Sequence, residues 1–201
     1  MSNSYKYIDP DYSYIDPKTG ILRNLQDISD PEVLLFVESS AVTKRLLELY
    51  ENPIKIKGID SLFEIHRHLF QDIYIWAGKK RVVEISKDGK QFFPTTYFDN
   101  AFRYIDQLID EYRKIPKNNK RKLAEKLAEI LDNVNYLHPF REGNGRAQRE
   151  FIRLLALEKG LILNLNPPDN ISVYERYMKG TVESDVTTLT ELIFELITAD
   201  K

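Results

Sequence analysis

A mostly α-helical fold with one small β-hairpin is what this sequence predicts. Three observations carry that expectation. Apolar residues recur at three- and four-residue spacing over most of the chain beyond Pro31. One stretch alone, near Arg81 to Pro94, alternates with period two and contains a hairpin turn signal. Proline, glycine and capping residues stand where helices of ordinary length would begin and end.

Taken in order, Tyr5 to Asp30 is rich in Tyr, Asp and Pro and lacks helical periodicity, so it reads as an extended arm with turns. Asp30-Pro31 reads as an N-cap with proline at the first helical position, opening a helix to about Tyr50. Ser61-Leu62-Phe63-Glu64 fits a capping box, and Leu62, Ile65, Leu69 and Ile73 continue a helix along one face. Arg81 to Ser86 is β-branched and alternating, Asp88-Gly89 is a turn signal, and Gln91-Phe92-Phe93 forms the returning strand before Pro94. Phe102, Ile105, Leu108 and Ile109 line a helix that ends before Pro116. Leu123, Leu127, Ile130, Val134 and Leu137 line another that stops at His138-Pro139. A further helix opens near Asn144 and runs to Lys159, with Gly160 as C-cap. Two shorter helices, Ser172 to Met178 and Asp185 to Ile197, close the chain.

Composition narrows the function classes. With 201 residues, the chain is long enough for one globular core, and 42% hydrophobic residues is ordinary for a soluble protein. A net charge of -2 argues against broad electrostatic binding of nucleic acid. Without cysteine there is no disulfide, thiolate zinc site or thiol nucleophile. No stretch is apolar enough to span a bilayer. Met1 to Tyr5 shows no basic segment leading into an apolar one, so the cytoplasm is the expected compartment, with export by a specialised secretion system compatible.

Chemistry concentrates in His138-Pro139-Phe140-Arg141-Glu142-Gly143-Asn144-Gly145-Arg146-Ala147-Gln148-Arg149. A helix N-terminus presents unpaired N–H groups with partial positive charge, and an anion is stabilised there. Gly143 and Gly145 let a phosphate approach the backbone, and Asn144 can donate from its amide. Arg146 and Arg149, at i and i+3, form a two-pronged site for further phosphates. Glu142 beside phosphates calls for a cation, and magnesium suits one carboxylate with waters and phosphate oxygens. His138 is able to act as general base near pH 7. Taken singly, each residue has a structural reading: a histidine on a helix dipole, an Asn-Gly turn, solvated arginines. A turn, however, has no need of all of them at these offsets. Phe140 is expected to anchor the loop in the core.

The same stretch resembles the signature of the Fic family, HxFx[D/E]GNGRxxR, with every defined position matched from His138 to Arg149. Asp72-Ile73-Tyr74-Ile75-Trp76-Ala77-Gly78-Lys79-Lys80-Arg81 is similar to the family's stretch before its hairpin. Tyr12 to Pro17 with Leu22-Arg23-Asn24 resembles the arm of Fic toxins and host-targeted effectors. The resemblance implies an arm over 1–30 and a Fic-type helical domain over 31–201, with a flap at about 81–94. It implies transfer of AMP from ATP to a Tyr, Thr or Ser hydroxyl of a target protein, releasing pyrophosphate. His138 would be the base, Glu142 the Mg2+ ligand, Asn144 with the loop N–H groups the holder of the α-phosphate, and Arg146 and Arg149 the holders of the outer phosphates. The flap, with Ile85, Ser86, Lys87 and Phe92, would dock the target as an extra strand. Tyr174 or Tyr177 would border the adenine.

Many relatives are held off by a helix carrying [S/T]xxxE[G/N]. Here only Thr187 with Glu191 has that spacing, and Leu192 follows instead of Gly or Asn. If that pair is not inhibitory, the chain resembles the class silenced by a separate small antitoxin protein. Other readings stay open: kinase-type, UMP or phosphocholine transfer, or a nucleotide- or protein-binding module without turnover. Gly145, lost in kinase-type relatives, favours AMP transfer, and an intact His138 and Glu142 favour turnover.

Overall fold

The computed structural model describes residues 5–7, 9, 11–87 and 89–199. Met1 to Ser4, on which the expectation of no secretory signal rests, and Asp88 of the turn signal lie outside the described residues. Seven α-helices dominate the described residues: α1 Pro31–Glu51, α2 Asp60–Phe70, α3 Phe98–Lys114, α4 Lys120–Leu137, α5 Asn144–Glu158, α6 Ile171–Glu183 and α7 Val186–Leu196. The strands are short: β1 Tyr5–Tyr7, β2 Ile85–Lys87, β3 Lys90–Gln91, β4 Leu161–Ile162 and β5 Thr198–Ala199. No helix among the described residues is long and apolar enough to cross a membrane.

α4 is the central element. Leu123, Ala124, Leu127, Ala128, Ile130, Leu131, Val134 and Leu137 are all buried, so the helix is apolar on more than one side and packs against α3, α5 and α7. A surface helix needs one apolar stripe, whereas α4 needs partners around it. α5 lies against α4 and α2, burying Ala147, Phe151, Ile152, Leu154, Leu155 and Ala156. α1 packs on α2.

Several helix ends follow the sequence. Asp30 caps α1, its carboxylate accepting from the N–H groups of Glu32 and Val33 at 2.9 and 3.0 Å, with Pro31 in the first turn. Gly160 takes a positive φ of 67° just beyond α5. The capping box at Ser61 is not formed. Ser61 lies inside α2, its hydroxyl accepts from Lys57 N–H at 2.9 Å, and the Asp106 carboxylate takes the Ile59 N–H at 2.7 Å, so a distant side chain replaces the local cap. α6 runs five residues beyond the expected Met178 to Glu183.

The hairpin is shorter than its alternation implies. Arg81 to Glu84 lie outside the strand, because Arg81 is buried and its guanidinium organises the surrounding backbone. β2 pairs antiparallel with β3, Ser86 opposite Gln91 and Lys87 opposite Lys90. β1 pairs with the other edge of β2, giving a three-stranded sheet in the order β1-β2-β3. β4 and β5 form a second, two-stranded sheet. Neither β1 nor this second sheet was foreseen from the sequence.

Candidate active site

The loop between α4 and α5 is held by interlocking backbone contacts. His138 ends α4 in the left-handed region, φ 44° and ψ 59°, with its N–H on Val134 O at 3.2 Å. Arg81 then fixes the chain that follows. Its Nε donates to His138 O at 2.8 Å, Nη1 to Val83 O at 2.6 Å and Nη2 to Phe93 O at 2.6 Å, while its own N–H reaches Pro139 O at 2.7 Å. One buried guanidinium thus ties the loop to both limbs of the hairpin. Left without it, those carbonyls would be unpaired inside the protein.

Phe140 is fully buried, as expected of an anchor. Asn144 closes the loop over it: its Oδ1 accepts from Phe140 N–H at 2.9 Å and its Nδ2 donates to Phe140 O at 2.8 Å. The expected phosphate donor thus also closes the loop. Its amide is engaged in loop closure in this structure. Gly143 precedes that turn with φ 80°, and a Cβ there would overlap the Phe70 ring. A side chain is excluded twice, by backbone conformation and by space.

His138 is 7% exposed. Its ring stacks on Phe92 of the flap, centroids 3.7 Å apart and planes 13° from parallel. Nδ1 lies 3.3 Å from Asn135 O, which can only accept, so Nδ1 carries the proton and Nε2 keeps its lone pair. Burial pushes the imidazole pKa down to about 3, and Arg81 and Lys87 add in the same direction. The ring is neutral near pH 7. His66, which the sequence did not mark, is a second buried imidazole. Its Nε2 donates to Glu142 O at 2.9 Å, its Nδ1 accepts from Gly78 N–H at 2.9 Å, and its ring stacks on Phe140. It sets the backbone of Glu142. Nothing in its local sequence distinguishes it from a core histidine.

The charged residues are arranged differently from expectation. The Glu142 carboxylate accepts from Gly143 N–H at 2.9 Å and lies 3.7 Å from Arg146 Nη2. Arg146 turns toward α1, where Nη2 meets the buried Glu38 at 2.6 Å, and it lies 4.6 Å over the Phe70 ring. The other Glu38 oxygen accepts from Tyr74 O–H. Arg149 sits over Tyr174 and Tyr177, at 5.4 and 5.3 Å from the ring centroids. The two arginines share a helix side yet have separate surroundings. Arg146 is bound to carboxylates, and Arg149 to aromatic faces.

A cavity of about 480 Å³ opens beside the loop. Lys87 and Phe92 from the flap, His138, Gly145, Gln148 and Tyr177 are among the residues around it. Of the two tyrosines proposed for adenine, Tyr177 is in this lining and Tyr174 is not. Of the flap residues proposed for docking, Ile85 is buried at 2% exposure and belongs to the core.

The Thr187–Glu191 pair is corrected. Glu191 accepts from Arg121 Nη1 and Nη2 at 2.9 and 2.6 Å, at the opening turn of α4. His138 ends the same helix, about 25 Å away at 1.5 Å per residue. In this structure Glu191 pairs with Arg121 rather than with Arg149, and Arg121 holds its carboxyl below the usual range.

Comparison with known proteins agrees with this geometry. The family model described as Fic/DOC family matches residues 57–156. The chain is 31% identical to the probable protein adenylyltransferase Fic of Escherichia coli over 93% of this chain and 92% of that protein. It is 38% identical to the protein adenylyltransferase VbhT of Bartonella schoenbuchensis over 77% of this chain, a match that spans 33% of VbhT. Among solved structures, the N-terminal Fic domain of a Bartonella quintana effector with bound ADP superposes with a TM-score of 0.81 at 19% identity, covering 94% of this chain and 96% of that one. BepC of Bartonella tribocorum with bound AMPPNP gives a TM-score of 0.79 at 18% identity, covering 94% and 98%. With its signature loop intact and a relative matched over nearly its whole length, this chain belongs to the Fic/DOC family.

Proposed function

We propose that this chain is a protein adenylyltransferase, moving AMP from ATP to a Tyr, Thr or Ser hydroxyl of a target protein. The observation that carries the reading is one shared cavity. His138, at the end of α4, and Gly145, in the first turn of α5, both line the same space of about 480 Å³. A base and an anion-binding helix start thus face one ligand-sized volume, which is what nucleotidyl transfer needs.

In this reading the nucleoside occupies the cavity against Tyr177 and Phe92, and the phosphates lie on the first-turn N–H groups of α5. His138 Nε2 takes the proton of the target hydroxyl as its oxygen attacks the α-phosphorus. The bond from that phosphorus to the bridging oxygen breaks, and pyrophosphate leaves. Arg149 holds the outer phosphates, while Arg146, tethered by Glu38, orients the loop and neutralises charge near Glu142. Positioning and fixed charge supply most of the catalysis.

Glu142 would hold Mg2+, which would neutralise phosphate charge. The donor set fits: one partly exposed carboxylate stands beside the anion-binding turn, and magnesium takes one or two carboxylates and completes its shell with water and phosphate. No cluster of three or more His, Cys, Asp or Glu suited to an all-protein metal cage occurs among the described residues.

A target segment would dock along the flap through main-chain hydrogen bonds. A small antitoxin protein is the proposed silencing partner. α1 exposes Val33, Phe36, Leu47 and Tyr50 on one face, and Tyr50 borders the cleft that also holds Arg146 and Arg149. ATP as donor places the action in a cytoplasm, the protein's own or a host's.

The test is incubation of the chain with α-labelled ATP, magnesium and cell lysate, beside His138→Ala. Label on protein with the wild type alone supports the reading. Transfer of γ-label in place of α-label would replace it with a kinase, and transfer of neither, with nucleotide still bound, would favour a binding module.

A further inference from the structure

The flap strand β2 has no open edge. Ser86 and Lys87 pair with β3 on one side, where Ile85 O accepts from Phe92 N–H at 3.1 Å, and on the other side every residue has a partner in β1: Lys87 opposite Tyr5, Ser86 opposite Lys6, Ile85 opposite Tyr7. β3, at the other edge of the sheet, is only two residues long. Lys90 and Gln91 border the cavity beside His138, and Lys90 Nζ donates across it to Val182 O on α6 at 3.0 Å. A strand arriving at the outer edge of β2 therefore meets a position that the chain's own arm already fills.

We propose that the outer edge of β2 is a strand-exchange surface, held at rest by this chain's residues Tyr5 to Tyr7 and taken over by an extended segment of the target protein. This rests on the reading of the flap as the target-docking element, and it adds the resident occupant and the need to displace it.

The attachment of the arm suits exchange. Its firm anchor lies further along the chain, at Asp9 to Tyr14. The Asp9 carboxylate accepts from the N–H groups of Ser13 and Tyr14 at 2.9 Å each. Tyr14 is buried against Trp76, and its hydroxyl accepts from Val82 N–H at 3.1 Å, just before the flap. Three residue pairs separate the paired and released states, so β1 can leave without disturbing the anchor. While anchored, β1 remains at high local concentration, and a weakly matching segment loses the competition. Main-chain pairing is undemanding about sequence, and an intramolecular competitor raises the threshold for every target.

The absence of native cysteine permits a clean test. Lys6 and Ser86 are Cα partners, and facing residues in an antiparallel pair lie about 4.5–5.5 Å apart, within disulfide reach. The double variant Lys6→Cys/Ser86→Cys is compared oxidised and reduced for transfer of α-label to lysate protein. Lys6→Pro, which removes one N–H from β1, is measured alongside. Oxidation is expected to lower target labelling about tenfold and reductant to restore it, while Lys6→Pro labels severalfold faster than wild type.

An activity-independent arm uses hydrogen exchange at Ile85 to Lys87. Those amides should be faster in Lys6→Pro, and an added peptide with the sequence of residues 2–11 should slow them again. Equal labelling by the oxidised and reduced forms would overturn the proposal. So would β2 amides that exchange alike in wild type and Lys6→Pro. If no form transfers label, the adenylyltransferase reading fails, and the exchange arm still decides whether β2 accepts a strand in trade.

Discussion

Glu38 and Arg146, 108 positions apart in the chain, meet at 2.6 Å across the junction of α1 and α5, with Tyr74 O–H on the second carboxylate oxygen. The carboxylate is buried and the guanidinium about a quarter exposed. Removing the arginine alone leaves a buried charge without its partner, which costs more than the pair contributes. Arg146→Ala is therefore expected to destabilise the protein by about 2–3 kcal/mol, discounted for partial exposure, as read by urea denaturation. Arg149→Ala, which strips contacts from aromatic faces instead, should lose AMP transfer with a smaller loss of stability. Equal stability losses in the two variants would remove the distinction between a tethered and a ligand-facing arginine.

The two buried imidazoles make stability depend on pH. Burial holds both His66 and His138 near a pKa of about 3, below the unfolded value of about 6.5. Between those values the unfolded chain binds the extra protons, so stability is fully present above pH 6.5 and falls as pH drops toward 3. Each histidine contributes a slope of up to about 1.4 kcal/mol per pH unit in that window. Urea midpoints measured from pH 7.5 to 4.5 should decline, and His66→Asn should flatten the decline. A midpoint constant over that range would contradict the burial argument. The acid limb of target labelling should correspondingly lie below pH 6.5, since His138 stays unprotonated there.

Gly143 and Gly145 should respond differently to alanine. At Gly143 a methyl group meets φ 80° and the Phe70 ring, so Gly143→Ala displaces the loop, with an expected loss of at least about 2 kcal/mol and of activity. At Gly145 the nearest contact is Arg149 Nη1 at 3.3 Å, the far end of a flexible side chain. Gly145→Ala should melt close to wild type yet lose rate, because it crowds the arginine and the cavity. Thermal melting beside label transfer separates the two outcomes.

Glu191→Gly should leave the transfer rate at the wild-type level. The carboxylate it removes is half exposed and bound to Arg121 at the opposite end of α4 from His138. A rise in transfer by the isolated chain would show that α7 restrains the site by a route outside this geometry.

The sequence alone determined where the signature loop lies and most of the helices of this protein. Local signals suffice for such features: Asp30-Pro31 opens α1, period-3.6 stripes run through α3, α4 and α7, and the loop from His138 to Arg149 places a base, a carboxylate and a glycine-flanked helix start within twelve residues. Only the tertiary structure decided how those groups are used. Asn144 turns inward to Phe140, Arg146 to Glu38, and Glu191 to Arg121; each partner is chosen by helix packing, which no spacing within one segment encodes. Arg81 and His66 show the same limit. Their value lies in carbonyl and amide groups brought from His138, Phe93, Glu142 and Gly78, and a polar side chain is buried only where folding supplies such partners. The β1–β2 pairing lies furthest from view. Strand pairing is made between backbones about eighty residues apart, and the backbone is the one part of a chain whose letters are all alike.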